Sequence, residues 1–230
     1  MYPIKVSENR RYFTDQEGVP VFWLGTTQWQ LFREYTLEEA RIILESCKAR
    51  GFAFAQVILM GVGDGTKPNV YGEKPWHDDN PLTPNEAFFR NVDAVLRLAC
   101  ENNVVISMTL FHQRYRNYIT VENGRAWAKW LAQRYRDVSH LLWSLTPEAN
   151  AAFVPILREL AAGLREGDGD CRPCCDNGST VVFDARCLGG RPADPGELAS
   201  RSAGVRPRRP NSPIVAASPS PRQVERIETV

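Results

Sequence analysis

Four continuous apolar segments, each followed by a helical pattern, repeat along the first 168 residues of this chain of 230. The apolar segments span residues 21–25, 52–60, 104–110 and 141–145. A strand that is apolar on both faces is typical of a parallel sheet covered by helices. Four consecutive strand–helix units therefore predict an α/β fold with right-handed crossovers.

The helical segments carry start and stop signals. Thr36 and Glu39 have the spacing of a capping box, and Gly51 is placed to end the same helix. Apolar residues recur at helical spacing from about residue 85, from 124 to 136 and from about 151 to 165. These signals predict one helix after each strand.

Two parallel architectures fit this alternation, an open doubly wound sheet and a (β/α)₈ barrel. The segment after the first strand, Gly25-Thr26-Thr27-Gln28, lacks the glycine-rich phosphate loop of nucleotide-binding folds, which favours the barrel. A complete barrel takes about 250 residues, and four units form only its N-terminal half. We therefore predict that residues 1–168 are a partial TIM barrel.

The composition changes abruptly after this region. From Asp170 onward the sequence has one aromatic residue, Phe183, and no lysine, while Arg, Pro, Gly, Ser and Ala are frequent. Burial of so few apolar side chains cannot offset the conformational entropy lost on ordering the chain. Residues 169–230 are therefore predicted to be a largely irregular tail. Because GC-rich codons encode these residue types, we hypothesise that the tail is a shifted reading frame or a fusion.

Bulk properties limit the possible partners. The net charge is +1 with 24% charged residues, which gives no reason to expect binding to nucleic acid or to a membrane surface. No apolar run approaches the roughly 20 residues of a spanning helix, and the first residues lack the apolar core of a secretory signal. The default expectation is a cytoplasmic protein.

Function in parallel α/β folds gathers at the carboxyl ends of the strands and in the loops that follow them. Aromatic and hydrogen-bonding side chains alternate at these positions, including the long loop 61–84. Aromatic faces cover the C–H groups of a sugar while amides and carboxylates bind its hydroxyls, so an oligosaccharide ligand is expected. His112 also fits a hydrogen-bonded residue at the rim of the sheet. The candidate sugar-binding residues are Trp29, Asp64, Asn69, Tyr71, Asp79 and His112.

Glu148 is the candidate catalytic residue because it follows the fourth strand. A carboxyl group partly desolvated by Trp143 and Pro147 would suit a general acid that protonates a glycosidic oxygen. The alternative is a solvated glutamate before the last helix, where the helix dipole favours a negative charge.

Metal binding has two weak candidates. The run His77-Asp78-Asp79-Asn80 has polar ligand atoms but is more typical of turn chemistry. Cys171, Cys174, Cys175 and Cys187 resemble half of a zinc site, without a histidine or a second C-x-x-C pair in the tail. We therefore expect no metal and no cofactor.

Three separated motifs resemble the apiosidase-like glycoside hydrolases, whose barrel domain is often called a domain of unknown function. They read PVFWLGTTQWQLF, DGTKPNVYGEKPWHDDNPLTPNEAFF and LLWSLTPEAN, within about residues 3–168. The resemblance implies a retaining hydrolase of plant cell-wall pectic glycans. It assigns Glu148 the acid/base role, although the family segment usually reads Gly-Gly-Asp where this chain has Thr146-Pro147-Glu148.

The same resemblance places the nucleophile late in the barrel, and residues 170–230 contain no strand with a suitable carboxylate. We therefore expect a glycoside hydrolase-like chain that is truncated and inactive as a monomer. The open sheet edges of a half barrel predict self-association. Two alternatives remain: a non-catalytic carbohydrate-binding remnant, and an α/β scaffold with a zinc-binding tail.

Overall fold

The computed structural model of the chain describes residues 4–9, 11–148, 150–169 and 174–175. Short 3₁₀ turns occur at His77–Asp79, Gln113–Tyr115 and Ala151–Phe153. The longer elements are the strands β1 (Lys5–Val6), β2 (Phe13–Thr14), β3 (Pro20–Val21), β4 (Gly25–Thr27), β5 (Phe54–Ile58), β6 (Val105–Thr109), β7 (Leu141–Ser144) and β8 (Cys174–Cys175), and the helices α1 (Leu37–Ala49), α2 (Glu86–Glu101), α3 (Gly124–Arg134) and α4 (Val154–Asp168).

The main sheet is parallel and runs in the order β4-β5-β6-β7-β8, with one helix between each of its first four strands and the next. A doubly wound sheet reverses its strand order at a switch point, whereas a barrel adds each new strand on the same side. The observed order is that of a barrel. Strands β1, β2 and β3 form a separate antiparallel sheet.

The first predicted strand, residues 21–25, was wrong in its position. Val21 ends the antiparallel strand β3, and the parallel strand β4 begins only at Gly25. Between them the chain turns, since the Leu24 amide donates to the Phe22 carbonyl at 2.9 Å. The Phe54 ring lies against the backbone of Gly25, where a side chain would overlap it. One apolar run thus serves two sheets.

The two faces of the parallel sheet differ in polarity. On one face Trp143 is buried, and its indole N–H donates to the Asp168 carboxylate of α4 at 3.4 Å, so this is the face covered by helices. The opposite face carries Ser107, Thr109 and Ser144, all buried, with Thr109 and Ser144 in register on neighbouring strands. In a barrel such a face points to the axis.

Helix termini and helix contacts follow local chemistry. The predicted capping box is confirmed, because the Glu39 amide donates to Thr36 Oγ1 and the Thr36 amide donates to the Glu39 carboxylate at 2.7 Å. Arg134 of α3 donates to Glu86 and Asp93 of α2, each at 2.7 Å. These bonds fasten two neighbouring units of the barrel.

The sheet continues beyond residue 168 through β8, where Cys174 pairs with Trp143 and Cys175 with Ser144. The rest of the predicted tail, residues 170–173 and 176–230, lies outside the described residues. Within the part of the chain that the structure describes, no helix has the length and apolar character needed to cross a membrane.

Candidate active site

A cleft of about 450 Å³ lies at the carboxyl ends of β5 and β6. An adjoining hollow of about 320 Å³ shares Gln113, Arg114 and Asn117 with it and adds Arg116. Both lie where a parallel α/β fold carries its chemistry. The residues that line the cleft are Val62, Gly63, Asp64, His112, Gln113, Arg114, Asn117 and Tyr118.

His112 stands at the end of β6 and caps the 3₁₀ turn that follows. Its Nδ1 accepts a hydrogen bond from the Arg114 amide at 3.3 Å. Burial lowers the pKa of His112, the carboxylate of Glu148 opposes this shift, and Arg114 adds to it. The imidazole is therefore neutral at neutral pH, and with Nδ1 accepting, Nε2 carries the proton as a donor.

Asp64 brings a carboxylate to the cleft from the loop after β5. Its Oδ1 accepts hydrogen bonds from the Thr66 amide at 2.9 Å and from the Thr66 hydroxyl at 2.8 Å. These two bonds lower the pKa of Asp64, because they stabilise the ionised form. Asp64 thus offers an ionised acceptor beside the neutral donor of His112.

Glu148 follows β7, and its charge acts directly on His112. The Thr146 hydroxyl donates to the Glu148 backbone carbonyl at 3.1 Å, while the side chain is exposed. The expected desolvation of the Glu148 carboxyl group by Trp143 was wrong. The indole of Trp143 is buried on the helix-covered face of the sheet, where it donates a hydrogen bond to Asp168. The exposure agrees with the alternative of a solvated glutamate, although the position at the strand end suits either role.

Four predicted sugar-binding residues are not among those that line the cleft. Trp29 is partly buried and packs against the hydrophobic core. Asp79 forms an ion pair with Lys74 at 3.1 Å, and its φ of 52° places it in a turn. Both side chains thus have partners within the protein.

The other two, Asn69 and Tyr71, also have partners within the protein. Asn69 is buried, and its Oδ1 accepts from the amides of Tyr71 and Glu73, each at 3.0 Å. The Tyr71 hydroxyl accepts from the Leu37 amide at 2.9 Å, at the first turn of α1. Both side chains satisfy backbone donors that would otherwise lack partners.

The cleft contains cations that the candidate set omitted. Arg114 and Arg116 line the adjoining hollow, and among the described residues neither guanidinium has an ion pair or a hydrogen bond. The sequence signal was the dense polar run HQRYRNY directly after the strand at 104–110. Unpaired arginines beside a cleft are suited to binding an anionic group.

Metal-binding groups were sought among histidine, cysteine and acidic side chains. Within the described ranges no cluster of three or more such residues could hold a metal ion. Asp78 and Asp79 both have positive φ, in agreement with turn chemistry for the run 77–80. Cys171 and Cys187 of the possible zinc site lie outside the described residues.

The strand order, together with a cleft at the strand ends, is that of an α/β barrel. The sequence profile of the apiosidase-like catalytic domain matches residues 7–181, and the chain belongs to this family. The match extends to β8, past the boundary at 168 that composition suggested. No curated protein matches the sequence.

Solved structures share the fold. A glycoside hydrolase superposes with a TM-score of 0.68 at 24% identity, and a family 5 glycoside hydrolase from Bacteroides vulgatus with 0.67 at 24%. They cover 75% and 77% of this chain, respectively. The structure of a putative glycoside hydrolase from the same organism has a TM-score of 0.63 at 18% identity over 80% of the chain. This chain spans about 40% of the length of each, which confirms the partial barrel.

Proposed function

We propose that this chain carries the proton-donor half of a glycoside hydrolase active site and binds acidic, pectic glycans. The observation that carries the proposal is the cleft at the strand ends, which Asp64 and His112 line and where the negative charge of Glu148 acts on His112. In this family fold, those strand ends are where substrate is bound.

Each group has a distinct role in the proposed site. In a complete barrel, Glu148 would protonate the glycosidic oxygen as the bond breaks. His112 donates a hydrogen bond from Nε2 to a sugar hydroxyl, and Asp64 accepts one, because the first is neutral and the second ionised at neutral pH. A neutral donor and an anionic acceptor together orient a ring that carries several hydroxyls.

The acidic character of the ligand is supported by the arginines beside the cleft. Pectic glycans are rich in uronic acids, and a guanidinium binds a carboxylate with two parallel hydrogen bonds. Arg114 and Arg116 have no carboxylate partner among the described residues, so both are available to a ligand.

The arginines provide a direct test of that preference. Replacing both by glutamine should weaken affinity for a short oligogalacturonide at least about tenfold, or about 1.4 kcal/mol, and reduce its salt dependence. The matched control is Arg41→Gln, which removes an exposed arginine that pairs with Glu38 on α1. Equal effects of the double variant and the control would exclude a specific role for these arginines.

We further propose that this chain binds without turnover. A retaining hydrolase needs a second carboxyl group about 5–5.5 Å from the first. Among the described residues that line the cleft, Asp64 has the only carboxylate, and Thr66 occupies its Oδ1. This chain spans about 40% of the length of its structural relatives, and we propose that the second carboxylate of a complete enzyme lies in the part of the barrel that the described residues do not form.

Calorimetric titration combined with a reducing-sugar assay tests both parts. We expect saturable binding of oligogalacturonide, weaker binding of a neutral cello-oligosaccharide of equal length, and no release of reducing ends. Glu148→Gln should leave binding nearly unchanged. Hydrolysis abolished by Glu148→Gln would overturn the proposal of inactivity, and failure to bind either sugar would overturn the proposed site.

Self-association of the chain is a separate proposal. Within the described residues, β4 has a strand partner on one side only, and Phe22, just before it, is 81% exposed. An open edge beside an apolar side chain favours pairing with another copy. Light scattering should show a dimer or larger species that Phe22→Lys shifts toward the monomer; a monomer at all concentrations would contradict this.

A further inference from the structure

The most deeply buried cation of the described chain lies behind the cleft, not in it. Arg33 follows β4 in the loop before α1, and its side chain is 3% exposed. Its one carboxylate partner, Glu34 at 3.0 Å, is itself half exposed. Burying a charge is costly unless hydrogen bonds replace the lost water, so the remaining partners of this guanidinium matter.

Those partners are three backbone carbonyls of the loop that follows β5. One terminal nitrogen of Arg33 donates to the Met60 carbonyl at 2.8 Å and to the Asp64 carbonyl at 3.0 Å, and the other donates to the Val62 carbonyl at 2.6 Å. Alternate carbonyls along five residues thus converge on one planar group. The guanidinium fixes the path of this loop, residues 60–64.

Two further side chains hold the same loop from either side. Gln30 accepts from the Val62 amide at 3.1 Å, and the Tyr115 hydroxyl donates to the Gly61 carbonyl. Gly61 has a φ of 72°, and a Cβ there would overlap Gln30 and lie 2.7 Å from the Arg33 guanidinium carbon. The loop is therefore held by residues that follow both neighbouring strands.

The loop held by these side chains forms one wall of the cleft. Val62, Gly63 and Asp64 all line it, and the carbonyl bound by Arg33 belongs to Asp64, the residue proposed to bind a sugar hydroxyl with its carboxylate. We propose that Arg33 is a positioning residue of the sugar site: it holds the cleft wall, and so Asp64, in the geometry that binds the ligand. This role rests on the proposed function.

The role requires a guanidinium and not merely a positive charge. Three carbonyls are reached from two nitrogens of one rigid plane, whereas a lysine ammonium is a single point with a flexible stem. Arg33→Lys preserves the positive charge but loses the planar guanidinium that reaches three carbonyls. The variant therefore separates the effect of positioning the loop from the effect of the charge.

The test compares Arg33→Lys with Arg134→Lys, a matched change in the α2–α3 contact away from the cleft. Two quantities are measured on each folded variant: hydrogen exchange of the Val62 amide and affinity for oligogalacturonide. We expect Arg33→Lys to speed exchange and weaken affinity, each about tenfold. Arg134→Lys should leave both within about twofold, even where its stability falls equally.

The outcomes separate this inference from the proposed function. Unchanged Val62 exchange in Arg33→Lys overturns the positioning role whether or not sugar binds. Faster exchange in a protein whose wild type binds no sugar confirms the loop attachment but overturns its functional meaning together with the proposed function. If Arg33→Lys does not fold, Tyr115→Phe replaces it, since that variant removes only the bond to Gly61 and should give the same pattern with a smaller effect.

Discussion

The two loops that bring carboxylates to this edge of the sheet are built in opposite ways. The loop at residues 60–64 is held by Arg33, Gln30 and Tyr115, so its backbone polar groups are bound on several sides. The segment that carries Glu148 has one described side-chain bond, from Thr146, and its carboxylate is exposed. The wall of the cleft formed by residues 60–64 is held from several sides, whereas the segment that carries Glu148 is open to solvent.

The difference between these two segments follows from their places in the sheet. The loop after β5 lies between two neighbouring strands of the same half, and both neighbours contribute side chains that hold it. Glu148 follows β7, and its side chain is exposed. The proposed binding by the loop at residues 60–64 and the proposed role of Glu148 are therefore separable in experiments.

The largest expected effect on stability comes from a substitution in the loop at residues 60–64, which forms one wall of the cleft. Gly61→Ala forces a positive φ on alanine and drives its Cβ into Gln30 and Arg33. We expect a loss of about 2–3 kcal/mol in the free energy of unfolding, measured by urea denaturation. The control is Gly72→Ala, at a φ of 82° with open space around it, which should show only the smaller cost of strain. Equal losses would mean that the side-chain contacts around Gly61 are unimportant.

A smaller effect is expected from Thr66, which supports Asp64 within the same wall. Thr66→Val removes one of the two bonds to the Asp64 carboxylate, so the pKa of Asp64 should rise and stability should fall by about 1 kcal/mol. The pKa is measured by NMR titration of the carboxyl carbon. Thr83→Val, in the same long loop but away from the cleft, should leave the pKa of Asp64 unchanged. An unchanged pKa in Thr66→Val would show that the hydroxyl does not support Asp64.

The smallest effect on stability is expected for Glu148, whose side chain is exposed to solvent. Glu148→Gln should change the free energy of unfolding by less than about 0.5 kcal/mol, because the side chain is exposed. It should lower the pKa of His112, whereas Arg114→Gln should raise it, because the carboxylate stabilises the imidazolium and the guanidinium opposes it. NMR titration of the ring protons distinguishes the two directions; the same direction in both variants would contradict the geometry.

The same histidine gives stability a defined pH dependence. Its folded pKa is depressed by burial, so the unfolded chain binds the proton more readily. The contribution of His112 is present above the ordinary histidine pKa, near 6.5, and is lost as the pH falls below it. His112→Gln should therefore flatten the stability profile on the acid side of neutrality in urea denaturation, and an unchanged slope would exclude this linkage.

Local patterns in the sequence were sufficient for much of the fold. Continuous apolar runs located β5, β6 and β7, and the capping box located the start of α1. The first parallel strand was misplaced because one apolar run, from Val21 to Gly25, is divided between two sheets. That division depends on the contact of Phe54 with Gly25, which is a tertiary contact without a local signal.

The site was predictable only in part, for a related reason. Asp64 and His112 line the cleft because they follow strand ends closely, where the backbone fixes their position. Asn69 and Tyr71 belong to a long loop, in which the same polar groups serve equally well to bind backbone amides. Which role they take depends on the path of the loop, and the Arg33 side chain, from another unit of the barrel, holds only the start of that path, at residues 60–64.

Mapping of backbone amide shifts during titration with oligogalacturonide tests the central claim most directly. We expect saturable shifts at Val62–Asp64 and His112–Tyr118, with smaller shifts near Tyr71 and Asp79, and no appearance of new reducing ends during the titration. Shifts concentrated away from the cleft, or none at any sugar concentration, would contradict the claim that this half barrel retains a sugar-binding wall.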